Sequence, residues 1–228
     1  MPNDFPGFTN SSHLTCLCSW SGGKDSCYAL VMAMQQGLQP KVLLNVLNEE
    51  GKISRSHGIP ANILEAQANA AGLPVHLIQS SWKDYEKEFT NALVHLKNKY
   101  KITAAVFGDI DLQAHRDWEE MVCTNAGLTA ELPLWQQNRK QLVTEMINKG
   151  IECTIVSCNT TMGINFLGKI LNAETITALE ELNIDVCGEN GEFHTLVTSC
   201  SLFKQRINVR ITDKILHEKY WFSRLELA

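Results

Sequence analysis

The chain has 228 residues, 44% of them hydrophobic, with 20 Lys and Arg against 25 Asp and Glu. That length and apolar content suit one sizeable α/β core with a small appended domain, and exclude disordered and fibrous classes. A formal net charge of −5, with basic residues scattered along the chain, supplies no long-range attraction for tRNA or a membrane surface. Nucleic acid and membrane are therefore not expected as partners; small molecules or proteins are.

Residues 1–12 are polar and rich in Pro and Asn. They lack the charged-then-apolar layout of a secretory signal and read as a flexible tail. The expected compartment is the cytoplasm, with the thiols of the 8 cysteines reduced. No two cysteines stand as C-x-x-C, so they read as small core side chains rather than zinc ligands. No apolar run reaches the length of a membrane span.

In chain order, Leu14 to Trp20 reads as a buried strand, Ser21 to Ser26 as a turn, and Cys27 to Gln36 as a helix with Leu30, Val31 and Met34 at helical spacing. Lys41 to Leu47 is a near-continuous apolar strand. Pro60 opens a helix through Ala71 that stops at Gly72. Val75 to Gln79 is a strand, and Trp82 to Tyr100 is a helix with Tyr85, Phe89, Leu93 and Leu96 on one stripe. Ile102 to Phe107 is a further buried strand. The strict alternation predicts a doubly wound parallel sheet with ligands at the carboxyl ends of its strands, above all after strands one, two and four. Past Gly127 the pattern changes to a helix through Lys149, a strand at Cys153 to Ser157, a helix at Glu174 to Leu182 and a half-exposed strand at Arg206 to Ile211. A soft boundary at Gly127 divides residues 13–127, the expected nucleotide domain, from 128–228, a smaller α+β substrate domain. The strand-like pieces near the end leave a homo-oligomer open.

Ser21-Gly22-Gly23-Lys24-Asp25-Ser26 lies between strand and helix. Paired glycines let a ligand approach closely, and their amides with the first free amides of the helix form a nest for anions. Lys24 brings a charge to a phosphate, and Ser21 and Ser26 bring hydroxyls. Asp25 beside an anion makes sense as a ligand for Mg²⁺. The loop is neither a Walker A sequence nor a G-x-G-x-x-G signature.

Two further segments carry chemistry. Gly108-Asp109-Ile110-Asp111 follows the fourth strand, with His115, Arg116, Asp117 and Glu119 opening the next helix; Arg116 and Glu119 are candidate substrate contacts. Gly188-Glu189-Asn190-Gly191-Glu192-Phe193-His194-Thr195 sets two carboxylates three residues apart between glycines, able to chelate a cation or position an amine.

The Ser-Gly-Gly-Lys-Asp-Ser loop resembles the motif of the PP-loop ATP pyrophosphatases. Together with Ser56-His57-Gly58, Glu65-Ala66-Gln67, Gly108-Asp109-Ile110 and the segment 188–195, it resembles the diphthine–ammonia ligase branch and its bacterial-type relatives from Ser19 to about Phe203. The resemblance implies a HUP-like fold, cleavage of ATP to AMP and pyrophosphate, and amidation of a carboxylate, on a small molecule or protein, by ammonia. Carried over, Ser21, Gly22, Gly23, Lys24, Asp25, Ser26 and Gly108 hold ATP, and Lys24, Asp25, Glu189 and Glu192 act in catalysis. Asn190, Gly191 and His194 face the acceptor, and the adenine lies near Val46 to Asn48. The family pattern at the last motif has Gly and Glu where this chain has Asn190 and His194. The competing readings are a PP-loop tRNA-modifying enzyme and a nucleotide-sensing module without catalysis.

Overall fold

A computed structural model describes residues 14–228; the tail expected at residues 1–12 lies outside them. Five strands form a parallel sheet in the order β3-β2-β1-β4-β5. They are β1 (Thr15–Ser19), β2 (Gln39–Leu47), β3 (Val75–Gln79), β4 (Ala104–Val106) and β5 (Thr129–Glu131), joined by helices α1 (Lys24–Gln35), α2 (Ala61–Ala71), α3 (Tyr85–Tyr100) and α4 (Gln113–Ala126).

Alternation along the strands sorts side chains between the two faces. Cys16, Cys18, Leu43 and Val106 pack with Leu30 of α1 and Leu64 of α2 on one face. Leu17, Val42, Leu44 and Ala105 pack with Phe89 and Leu93 of α3 and Val122 of α4 on the other. The chain winds outward from β1 to β3, then crosses to β4 on the other flank. The crevice at the carboxyl ends of β1 and β4 is thus the switch point where such sheets bind ligands.

The later residues form α5 (Arg139–Asn148), β6 (Glu152–Asn159), α6 (Ala173–Glu181), β7 (Phe193–Ser199), β8 (Val209–His217) and β9 (Tyr220–Leu227). Their strands make an antiparallel sheet in the order β7-β6-β9-β8. Its apolar side joins the α1/α2 face in one core that includes Leu30, Leu64, Ile155 and Val197. Among the described residues no helix is long and apolar enough to cross a membrane.

Three elements differ from the sequence reading. Helix α1 begins at Lys24 rather than Cys27, so Lys24, Asp25 and Ser26 form its first turn. Strand β5 lies beyond Gly127 yet belongs to the parallel sheet; three residues with a single apolar side chain give no periodic signal. The strand expected at Arg206 to Ile211 starts at Val209 and runs to His217, where it turns into β9. Its outer half is mostly exposed, so no alternation marks it.

Candidate active site

The loop after β1 is held from behind by one side chain. Gln67, fully buried on α2, accepts the Trp20 Nε1–H at 3.0 Å and donates to the carbonyls of Gly22 at 3.0 Å and Val197 at 2.7 Å. Gly22 has φ +85°, and a Cβ there would stand 2.8 Å from Gln67 Oε1. A Cβ on Gly23 would meet the His57 ring at 2.5 Å. These glycines therefore serve the protein's own packing as well as ligand approach.

Ser21 and Ser26 place their hydroxyls 3.0 Å apart. Two of the amides expected in the anion nest are already taken: Gly23 N–H donates to Ser21 Oγ at 3.2 Å, and Lys24 N–H to Thr195 Oγ1 at 3.1 Å. Lys24 lines the cleft, but it is only 2% exposed and does not extend freely toward an anion. Its ammonium donates to Asp25 Oδ2 at 2.8 Å and to the Cys187 carbonyl, above the Phe193 ring. Burial pulls the ammonium pKa down, and the charge of Asp25 more than offsets it, leaving it raised. The carboxyl of Asp25 is itself raised by burial, against the pull of Lys24.

Gly108, at the end of β4, fits against the first turn of α1 so closely that a Cβ would lie 2.7 Å from Ser26 N. That approach brings the segment after β4 to the Ser21–Ser26 loop. A cleft of about 850 Å³ opens between them, lined by Ser21, Lys24, Asp25, Ser26, Gly108, Asp109, Glu119, Glu189, Asn190, Gly191 and His194 among others.

Its acidic wall has divergent proton affinities. Glu119 is 4% exposed, and burial, then the Asp109 carboxylate, push its pKa up to about 11. Burial also raises Asp109, but the hydrogen bonds of His115 and Glu119 outweigh it and its pKa falls. His115 Nδ1 lies 2.7 Å from Asp109 Oδ1, and this bond raises the imidazole. Glu189 accepts the Ile110 N–H at 3.0 Å; burial, moderated by that bond, raises it to about 7. A carboxyl that titrates near neutrality can exchange protons with a substrate at working pH.

Residues 15–130 match the family model described as the diphthamide synthase N-terminal domain, and residues 138–227 match that of the diphthamide synthase C-terminal domain. The chain belongs to the diphthamide synthase family. This diphthamide synthase family chain is 27% identical over 229 residues to the diphthine–ammonia ligases of Rattus norvegicus and of Homo sapiens, with 89% of this chain and 85% of each relative covered. It is 29% identical over 217 residues to the diphthine–ammonia ligase of Schizosaccharomyces pombe, covering 85% of this chain and 35% of that longer protein.

Four expected site residues of this diphthamide synthase family chain stand apart from the cleft lining: Gly22 and Gly23, packed against Gln67 and His57, and the side chains of Arg116 and Glu192. Arg116 donates to Glu120 at 2.6 Å and lies over the Trp135 ring. The i to i+4 spacing of Arg116 and Glu120 pairs them on one helix face. Glu192 turns back on its own loop, accepting from Asn190 N–H and Nδ2, both at 3.1 Å. It stabilises the turn that presents Glu189.

Sequence reasoning assigned no role to several lining residues. His57, anchored to the Thr195 carbonyl at 2.9 Å, lies against His194 with ring centroids 4.6 Å apart. Burial lowers His57 to about 4 and His194 well below its usual value, so both are neutral at physiological pH. Trp82, Tyr85 and Trp118 form an aromatic wall. A smaller cavity of about 100 Å³ beside the loop is lined by Asn45, Val46, Ser54 and Arg55, partly overlapping the stretch expected to face adenine. Only the Ser56-His57-Gly58 resemblance hinted at His57; Tyr85 read as part of an apolar helical stripe, Trp82 as the start of that helix, and Trp118 carried no signal.

Proposed function

We propose that this chain is an ATP-dependent carbon–nitrogen ligase that activates an acceptor carboxylate as an adenylate, with release of pyrophosphate, and amidates it with ammonia. The observation that carries this reading is that Glu189, with a pKa raised to about 7, opens on the same cleft as the Ser21–Ser26 loop. The names of the relatives, diphthine–ammonia ligase, support the same reaction class and do not favour the sensing or tRNA-modifying alternatives.

A carboxylate resists ammonia because oxide would have to leave; adenylation supplies AMP as the leaving group instead. The acceptor oxygen attacks the α-phosphorus of ATP and pyrophosphate departs toward the Ser21 and Ser26 hydroxyls and the amino end of α1. Lys24 adds positive charge at the base of that site while holding Asp25 and the Cys187 carbonyl in place. Glu189 takes the proton from ammonium, ammonia attacks the acyl carbon, the bond from that carbon to the phosphate oxygen breaks to release AMP, and the second N–H proton goes to the departing phosphate or to solvent. We assign nucleotide handling to the part before the expected boundary at Gly127 and acceptor recognition to the later residues, chiefly Asn190, Gly191 and His194.

The residues suit a phosphate-borne Mg²⁺. Asp25 Oδ1 is buried without a hydrogen-bond partner, and among the described residues no three His, Cys, Asp or Glu side chains group to hold a metal ion. One bare carboxylate oxygen matches an ion that keeps several waters and binds mainly to phosphates. When bound, Mg²⁺ neutralises the charge of the departing pyrophosphate. A cytoplasmic setting is part of the same proposal, in keeping with eight buried free cysteines.

The test is release of pyrophosphate and AMP from Mg-ATP with ammonium, screened across carboxylate metabolites and diphthine-modified elongation factor two. Release stimulated by one acceptor, with an amide product, is the expected result. Tight ATP binding with no release for any acceptor would overturn the ligase reading.

A further inference from the structure

Glu189 reaches the cleft from a loop, and a loop places a side chain only as well as its anchors hold it. Two anchors act on this residue. Its amide donates to Asp185 Oδ2 at 3.0 Å, which fixes the main chain. Its carboxylate accepts the Ile110 N–H at 3.0 Å, which fixes the tip.

Both anchors lead to one guanidinium. Arg139, the first residue of α5, donates from Nη1 to Asp185 Oδ2 at 2.6 Å. Along its other edge it holds Asp111, the neighbour of Ile110, with Nε 2.8 Å from Oδ2 and Nη2 2.5 Å from Oδ1. A single planar fork thus ties the turn before Glu189 to the segment after β4 that supplies the Ile110 amide. Asp185 serves the same turn through its other oxygen, accepting the Cys187 N–H at 3.1 Å, and the Cys187 thiol donates to the Arg139 carbonyl at 3.0 Å. Isolated exposed ion pairs contribute little, but this one is bidentate on Asp111 and networked, and the Asp185 side chain is only 11% exposed. Arg139 itself is not among the residues lining the cleft, so any effect it has on chemistry there passes through another side chain.

We propose that Arg139 is the positioning residue that sets Glu189 in the cleft, an assignment that rests on the ligase reading. Its charge works alongside its geometry. The guanidinium and Lys24 favour the ionised form of Glu189, whereas Asp25 and Asp109 oppose it. His115 and Glu119 face the same carboxyl from α4. Without Arg139, Glu189 loses a favourable charge and Asp185 becomes an unpaired anion beside its amide, so Glu189 keeps its proton to higher pH. A lysine retains the charge but lacks the fork that holds Asp111 side-on and Asp185 at once.

The experiment follows the Glu189 carboxyl by NMR through a pH titration of the whole protein carrying isotope-labelled glutamate, with its resonance identified by its loss in Glu189→Gln. Arg139→Gln and Arg139→Lys are compared with the unmodified chain, alongside urea denaturation and pyrophosphate release from Mg-ATP and ammonium. The expected result is a midpoint of about 7 in the unmodified protein that climbs by about one pH unit in Arg139→Gln, with kcat down about 10²-fold and the KM for Mg-ATP unchanged. Arg139→Lys should restore most of the midpoint and little of the kcat. If Arg139→Gln does not fold, Asp185→Asn, which loses the ion pair and keeps the shape, is read in its place. An unchanged midpoint and kcat, whether or not stability falls, would make Arg139 a structural bridge and overturn the assignment. A midpoint that climbs in Arg139→Gln while no acceptor elicits pyrophosphate from any form leaves the hold on Glu189 standing and sinks the ligase reading instead.

Discussion

Replacing Lys24 by Ala removes the cation at the base of the phosphate loop and also strips a buried partner from Asp25 and from the Cys187 carbonyl. Pyrophosphate release should vanish, and stability should fall by about 3 kcal/mol, the usual cost of leaving one member of a buried pair alone; urea denaturation beside the release assay separates the two effects. Glu189 acts as a base only when ionised, so turnover should rise with pH through about 7, the value to which burial lifts this carboxyl. Glu189→Gln should lower the rate by about 10²-fold or more and flatten that rising limb in a pH–rate profile. The sign is opposite for Glu119 and concerns stability. Its folded pKa of about 11 lies far above the ordinary carboxyl value of 4.5, so the folded state binds the extra proton between those values and loses stability as pH climbs. Glu119→Gln, which mimics the neutral acid, should gain on the unmodified protein by at most about 1.4 kcal/mol per pH unit over that window. Denaturation curves at pH 5 and pH 8 check this, and an equal difference at both would contradict the assignment.

The junctions between elements depend on contacts without slack. Gly108 and the first turn of α1 meet backbone to backbone, so a methyl group there cannot be relieved by a side-chain rotation. Gly108→Ala should force the segment after β4 away from the phosphate loop, cost about 1–3 kcal/mol and weaken Mg-ATP binding more than a change elsewhere on β4; calorimetric titration with nucleotide reads the difference. Gln67 joins α2 to the end of β1 and to β7 through three hydrogen bonds. The Glu65-Ala66-Gln67 resemblance marked the position, but the partners lie 45 to 130 residues away in sequence, beyond any local pattern.

At the scale of the molecule, the antiparallel sheet shares its core with one face of the parallel one. Val197 and Leu196 of β7 belong to the same core as Leu30 of α1 and Leu64 of α2, and the Val197 amide donates to the Gly22 carbonyl at 2.9 Å. A fragment ending after Glu131 would expose the outer side of α1 and α2 to water. The full chain should therefore unfold in one transition by calorimetry, and that fragment should show no cooperative transition of its own.

The amino-acid sequence by itself determined the parallel α/β architecture, because buried strands and amphipathic helices write their periods locally, and it singled out the Ser21–Ser26 loop as a candidate phosphate site, because glycines, hydroxyls and a lysine at a strand-to-helix turn form one contiguous signal. It also marked Asp25, Glu119 and Glu189 as chemistry-bearing residues. Only the tertiary structure decided which side chains face the cleft. Arg116 and Glu119 are three residues apart on α4, yet one pairs with Glu120 outside and the other is buried in the acidic wall. Glu189 and Glu192 share one motif, yet one reaches the cleft and the other caps its own turn. The reason is physical: periodicity reports which face of an element is apolar, whereas the partner of a polar side chain is set by what a distant part of the chain places beside it.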